Sequence, residues 1–379
     1  MRILLLEPFY GGSHRDVVDN LLATSTHQIT VITLSARHWK WRMRGSGLHF
    51  AHTVRDHNPY DLVVATGMTT ITDFMFQWGA AMPPVALFVH ETQLTYPVPP
   101  GETPDLHLAF TDVQNLVAAE SVRFNSEVHL SGFLHNLEQF LRKMPRPRLS
   151  WVVDEIRTKS RVLYPGIRVP GGSPSANRVP LATHDIAGDD GVADRPLVVW
   201  NHRWEFDKAP EVFFAALGRA KARGVSFSLA ILGENVQVHP SAFEDARDTF
   251  DKEIVQFGYV ADRDEYEQWL LRGDIVVSTA IQENFGISVL EAVAAGCFPL
   301  LPDRLSYPEI VPVQLHPMCL YRGEAELSDR LVRLLGDREA RRLPPELQEH
   351  ARSFSWQNRV AKWDAWMTDV AEGREHGKA

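Results

Sequence analysis

Gln282-Glu283-Asn284-Phe285-Gly286-Ile287-Ser288-Val289-Leu290-Glu291-Ala292 sets two carboxylates eight residues apart around a glycine turn that opens an apolar helix. Residues 274–278, Asp-Ile-Val-Val-Ser, read as a buried strand just upstream. A strand, a glycine loop and a helix N-terminus make an anion site, because the first N–H groups of a helix lack intrahelical acceptors and its dipole is positive there. A carboxylate in the first helical turn also accepts hydrogen bonds from sugar hydroxyls. The stretch therefore predicts a pocket for a nucleoside diphosphate that carries a sugar.

Outward from this unit, strand-like and helix-like segments alternate in both halves of the chain. Strands are expected over 2–6, 28–34, 61–65 and 85–89, and helices over 15–23, 112–123 and 131–144, with 11–14 a loop. Strands at 197–201, 226–232, 254–259, 275–278 and 298–302 follow, with helices over 210–223, 265–272 and 286–296 and a Gly233-Glu234 turn. The pattern is that of parallel sheets covered by helices. The fold class is α/β: two doubly wound Rossmann-like domains facing a central cleft, with binding edges at the carboxyl ends of their strands. Between about 166 and 195 Gly, Pro and acidic residues break the pattern repeatedly, which marks a linker. The expected organisation is an N-terminal domain at 1–165 that takes the acceptor, a linker at 166–195, a donor domain at 196–355 and a C-terminal helix at 356–379. Trp356, Val360, Trp363 and Met367 stand at helical spacing in that helix.

A chain of 379 residues exceeds one ordinary α/β core, and 44% apolar with 23% charged residues fits a globular protein. No apolar run is long enough to span a bilayer, and the N-terminus reads as a first strand rather than a signal peptide. Cys297 and Cys319 are the only cysteines, which fits a reducing cytoplasm. A net charge of −9 argues against nucleic-acid binding by bulk charge but leaves room for a local basic patch. Asp262-Arg263-Asp264 with Glu265 reads as a helix-start capping box, and no cluster has metal-ligand spacing, so no metal and no cofactor are expected.

Asn201-His202-Arg203-Trp204-Glu205-Phe206-Asp207-Lys208 follows the first strand of the second half. Arg203 and Lys208 there can clamp a diphosphate, one as a fork and one as a point charge; two surface charges on a solvated loop are the alternative. Glu291 sits in an apolar stretch and is costly to bury unpaired, so it is either a ribose acceptor or a salt-bridged structural residue. Glu283 is placed nearer the transferred sugar. Gly11-Gly12-Ser13-His14 closes the first strand and lets backbone N–H groups approach a ligand. His90-Glu91-Thr92-Gln93 follows residues 85–89, and His90 is equally readable as a sugar or proton-transfer contact and as a structural histidine. Arg37-His38-Trp39-Lys40-Trp41-Arg42-Met43-Arg44 interleaves cations and aromatics, a pattern that holds phosphates and stacks unpaired bases, or else forms an amphipathic surface loop. Met144-Pro145-Arg146-Pro147-Arg148 is a second, weaker basic candidate.

With Arg203, Lys208 and the Glu283-to-Glu291 spacing in place, the second half resembles retaining GT-B glycosyltransferases of family 4. The resemblance implies that Arg203 and Lys208 hold the donor diphosphate and Glu291 the ribose. It also implies that the amides near Phe285, Gly286 and Ile287 approach phosphate or sugar, with Asn284 beside them, and that the C-terminal helix crosses back to the first domain. Further strings are similar to the tRNA-queuosine mannosyltransferase family: residues 7–14, Lys40-Trp41-Arg42, residues 90–97, Phe124-Asn125-Ser126, Gly296-Cys297-Phe298-Pro299-Leu300 and Tyr307-Pro308-Glu309-Ile310. Gln282 is a departure, since that family carries His before the glutamate. The resemblance implies transfer of mannose from GDP-mannose onto queuosine in a tRNA anticodon loop. It implies a catalytic set of His90, Arg203, Lys208 and Glu283, with Gly12 at the donor. Ser13, His14, Arg37, Trp39, Lys40, Trp41, Arg42, Arg44, Glu91 and Gln93 then serve the acceptor. The residues themselves leave open the base, the sugar stereochemistry and the oligomeric state. Three alternatives stand beside this reading: a nucleotide-sugar epimerase of the same fold, transfer to a small-molecule or glycan acceptor, and a non-catalytic nucleotide-sugar or RNA-binding protein.

Overall fold

The computed structural model describes residues 1–54, 60–99, 101–171, 195–233 and 241–374. They form two compact units, Met1–Gly166 with Trp356–Ala379, and Ile167–Ser355. Residues 172–194 of the expected linker, and Glu234 of the expected turn, lie outside the described residues.

In the first unit the order is β1 (Arg2–Tyr10), α1 (Gly12–Thr24), β2 (Gln28–Ser35), α2 (Trp39–Thr53), β3 (Leu62–Thr66), α3 (Ile71–Trp78), β4 (Val85–Val89), α4 (Leu106–Ala118), β5 (Ser121–Phe124), α5 (Glu127–Lys143), α6 (Trp151–Lys159) and β6 (Ser160–Val162). The second unit continues with β7 (Leu197–Trp200), α7 (Pro210–Ala222), β8 (Ser228–Ile231), α8 (Ala242–Thr249), β9 (Ile254–Phe257), α9 (Arg263–Arg272), β10 (Ile275–Val277), α10 (Ile287–Ala295) and β11 (Phe298–Pro302). The short α11 (Tyr307–Ile310) and α12 (His316–Cys319), then β12 (Leu320–Tyr321), α13 (Gly323–Gly336) and α14 (Pro345–Arg352), complete it; α15 (Trp356–Ala371) returns to the first unit.

Each unit holds a six-stranded sheet, ordered β2-β1-β3-β4-β5-β6 in the first and β12-β11-β10-β7-β8-β9 in the second. Every pair is parallel. The fully buried runs of β3 and β4 are what a sheet covered on both faces requires. Strand order reverses between β1 and β3 in the first sheet and between β10 and β7 in the second. Such switch points open a crevice at the carboxyl ends of the strands. The segments that follow β1, β7 and β10 at these points are residues 11–14, 201–208 and 278–286.

Three local expectations are corrected. Residues 11–14 are not all loop: α1 begins at Gly12, capped by Gly11, so Ser13 and His14 lie in its first turn. The expected helix over 112–123 is α4 followed by a strand. Asp105 starts α4 by accepting from His107 and Leu108 N–H at 3.0 and 3.1 Å, and β5 takes residues 121–124. Arg123 hid that strand, because a charge looks misplaced there; its guanidinium instead donates to Ser121 Oγ and Val122 O, both at 3.1 Å, and lies over the Trp366 ring. Finally, residues 39–44 are the first turns of α2 rather than a surface loop.

Helix α15 buries Trp356, Trp363, Trp366, Met367 and Val370. Trp366 Nε1 donates to Ser121 Oγ (2.9 Å) and Trp363 Nε1 to Tyr164 O (3.2 Å). Asp364 accepts from Ser25 Oγ, Thr26 N and Thr26 Oγ1 at 2.6, 2.9 and 2.7 Å, which ties the helix to the end of α1.

Candidate active site

In the second unit, a single 3-10 turn, Phe206–Lys208, connects the β7 loop to α7. It turns the Lys208 side chain under the β10 loop, where Nζ donates to Gln282 O at 2.6 Å. Nζ also lies 3.4 Å from Glu283 Oε2 and 3.2 Å from Asp207 Oδ2. Burial disfavours the charge on Lys208, but Glu283 and Asp207 outweigh it and raise its pKa above the ordinary value. The lysine therefore stays cationic although only 7% exposed. Arg203, with 42% of its side chain exposed, lies 3.3 Å from Glu205, whose own pKa is raised by burial. His202 is buried beside them and pushed down to about 4 by burial and then by the Lys208 charge, so it is neutral.

Gly286 caps α10 with φ of 100°, in the left-handed region that side chains avoid. A Cβ there would lie 3.2 Å from Ile310 Cδ1 and 3.9 Å from Glu283 Cγ. The glycine lets the chain turn sharply, so that the first amides of α10 are presented beside Glu283. Asn284 Oδ1 accepts from Gln282 Nε2 at 2.9 Å, and Phe285 is buried against Phe354; Phe285 thus offers backbone rather than side chain. Glu291 is 3% exposed and ion-paired to Arg263, with Tyr266 OH 3.5 Å away. Tyr266 in turn receives Asn201 Nδ2 at 3.1 Å. Sequence spacing assigns no site role to Arg263, Tyr266 or Asp207, because none of them stands in a motif with the group it meets. Asp262 does cap α9 as expected, through Glu265 N–H at 2.9 Å, and Arg263 is the first residue of that helix.

In the first unit, His14 Nδ1 lies 3.2 Å from both oxygens of Glu7 and Nε2 3.4 Å from Glu91. The His14 and His90 rings stack with centroids 3.9 Å apart. Gln93 N–H donates to the buried Asp112 at 2.7 Å. Glu7, His14 and His90 are the one group of ligand-type side chains among the described residues whose atoms all lie within 4.8 Å of one another. Sequence spacing could not show it, because residues 7–14 and His90 are far apart in the chain. Two imidazoles on one cation turn their lone pairs toward it in the ring planes, whereas stacked rings keep them side by side. Both His14 nitrogens also face carboxylates. The geometry therefore fits a charged histidine better than a shared cation.

The basic cluster makes contacts of its own. Arg42 donates to Ser35 O and Oγ, Arg44 to Thr111 Oγ1 at 3.3 Å, and Lys40 lies over the Trp39 ring. Trp39 packs against Met43, Met68 and Leu108, while Trp41 is 67% exposed. Arg37 is exposed as well.

This constellation and fold define the chain as a glycosyltransferase with a GT-B-type fold. Residues 195–337 match the family of group 1 glycosyl transferases, and residues 2–167 match the tRNA-queuosine alpha-mannosyltransferase N-terminal family. A Drosophila melanogaster protein named tRNA-queuosine alpha-mannosyltransferase is 33% identical over 315 residues, 82% of this chain and 81% of that protein. The chain belongs to the tRNA-queuosine alpha-mannosyltransferase family. Among solved structures, sucrose-phosphate synthase from Thermosynechococcus elongatus is similar with a TM-score of 0.73 at 15% identity, over 98% of this chain and 100% of that one. Anabaena HepE in complex with UDP and glucose is similar with a TM-score of 0.67 at 16% identity, over 98% and 99%. No helix among the described residues is long and apolar enough to cross a membrane.

Proposed function

We propose that the protein moves mannose from GDP-mannose to the queuosine of a tRNA in the cytoplasm, with retention of anomeric configuration and without a metal ion. Family membership supports the sugar and the acceptor. The observation that carries the donor half is Lys208, a buried cation held against Glu283 at the turn into a glycine-capped helix. As the sugar–phosphate bond breaks, negative charge grows on the leaving diphosphate. Lys208, Arg203 and the amides from Asn284 to Ile287 stabilise that charge, and one such preorganised donor contributes about 2.7–4 kcal/mol. Glu291 accepts from the ribose, its carboxylate oriented by Arg263 and Tyr266, and Glu283 lies beside the transferred sugar.

In the first unit, the Gly12 amide approaches the donor and His90 contacts the sugar. Ser13, His14, Glu91 and Gln93 serve the acceptor nucleoside. Arg37, Lys40, Arg42 and Arg44 engage RNA phosphates, with Trp41 the indole whose face is open for base stacking and Trp39 its packed support. The test is mass spectrometry of bulk tRNA incubated with the protein and a panel of nucleotide-sugars. Hexose added from GDP-mannose alone is the expected result. A change in the nucleotide-sugar that needs no tRNA would replace this reading with an epimerase.

A further inference from the structure

Glu7 is fully buried at the carboxyl end of β1, where one oxygen accepts the Phe9 N–H at 2.7 Å. A carboxylate in such a place is costly unless an opposite charge meets it. His14 meets it, and its other nitrogen faces Glu91 from the loop after β4. The His14 ring lies on the His90 ring at an interplanar angle of 23°, and the Phe9 ring meets His14 edge-on at 5.9 Å. Two imidazoles this close in a low-dielectric interior do not both carry charge. The carboxylates place the proton on His14, and that cation leaves its stacked partner neutral. From α5, His129 Nδ1 bonds Asn125 Oδ1 at 2.8 Å, and Asn125 Nδ2 holds His90 O at 2.9 Å, so the His90 backbone is fixed as well.

We propose that Glu7 and His14 are a positioning pair for His90: a buried carboxylate–imidazolium clamp that sets the plane of the His90 ring and keeps it neutral. A neutral ring both donates and accepts hydrogen bonds, as a sugar hydroxyl requires, whereas an imidazolium only donates. The inference rests on the reading of His90 as a contact to the transferred sugar.

The charged groups facing His14 are Glu7 and Glu91; His90 stacks on it neutral, and His129 acts on His90 rather than on His14. Burial opposes the His14 charge, but the two carboxylates outweigh it and bring its pKa up to about 10. Burial, and then the His14 charge, hold His90 well below its ordinary value, and burial takes His129 down to about 3. A raised folded-state pKa means that the clamp is intact at neutral pH and fails as pH rises through about 10. Removing the Glu7 charge brings that failure toward neutrality.

The experiment measures kcat and KM for mannose transfer from GDP-mannose to queuosine-containing tRNA between about pH 6 and about pH 9, for wild type, Glu7→Gln, Glu7→Asp and His90→Ala. Wild-type kcat is expected to be flat. Glu7→Gln is expected to lose about tenfold or more at the alkaline end, to recover toward the acid end, and to keep KM for GDP-mannose within about twofold. Glu7→Asp is expected to restore the flat profile. Nitrogen NMR of wild-type imidazoles should show both His14 nitrogens protonated near neutral pH, which decides the matter even where Glu7→Gln does not fold. A neutral His14, or a wild-type rate and profile in Glu7→Gln beside an impaired His90→Ala, overturns the pair alone. Full activity of His90→Ala overturns the sugar-contact reading and the pair with it.

Discussion

At the switch point of the second sheet the side-chain charges are matched pairwise, Lys208 with Glu283 and Asp207, and Glu291 with Arg263. On the proposed reading an anion there meets Lys208, the partly exposed Arg203 and the amides of a helix whose left-handed glycine cap strains any side chain. At the switch point of the first sheet the converse holds. Two histidines and two carboxylates converge from residues 7–14 and 90–91, and the local basic charge is carried by α2. One sheet plan thus carries two kinds of site. On the proposed function the site of the second sheet takes a diphosphate by charge and amides, and that of the first takes hydroxyls by directed hydrogen bonds, with RNA held by the basic face of α2.

The sharpest way to break this contrast is Lys208→Ala. It should lower kcat about 10²–10³-fold in a transfer assay while tRNA affinity stays at the wild-type value. Wild-type turnover would remove the diphosphate clamp. Gly286→Ala should weaken GDP binding about tenfold or more, measured by calorimetry, because a Cβ is strained at that φ and presses on Ile310. Unchanged affinity would mean that the α10 amides take no part. Arg42→Glu with Arg44→Glu should weaken tRNA binding about tenfold, reduce its salt slope by about one for each phosphate no longer neutralised, and leave GDP binding alone. Equal weakening of both ligands would count against a separate basic surface.

The smallest effect is expected at α15. Burial opposes ionisation of Asp364, but hydrogen bonds from Ser25 and Thr26 outweigh it and lower its pKa. Its contribution is therefore present above the unfolded value of about 3.9 and is lost as pH falls below it. Asp364→Ala should lower the melting temperature by about 2–4 °C at neutral pH and by less under acid. A shift that does not change with pH would assign the loss to packing alone.

The second site is largely legible in the sequence because its parts are contiguous. Residues 277–287 and 200–210 each carry a strand end, a loop and a helix start within a dozen positions, so spacing alone brings Lys208 and Glu283 into view. Glu291 is legible only as a choice, because its partner Arg263 comes from another helix. The first site is legible only piecemeal. His14, His90 and Glu91 stand out one by one, but the convergence that gives them meaning depends on Glu7, a charge that follows the apolar run Ile3-Leu4-Leu5-Leu6 and betrays no burial. Arg123 misleads for a related reason: beyond its local bonds to Ser121 and Val122, the ring that covers it is Trp366, more than two hundred residues away. A charge that stands in a strand–loop–helix motif is visible in sequence; a partner that stands in no motif is not.

The most direct test of the central claim compares tRNA that contains queuosine with the same tRNA lacking it, each incubated with the protein and GDP-mannose and then analysed by nucleoside mass spectrometry. One hexose on queuosine in the first sample and none in the second is the predicted result. Hexose on both tRNAs, or on neither while GDP-mannose is consumed, would contradict it.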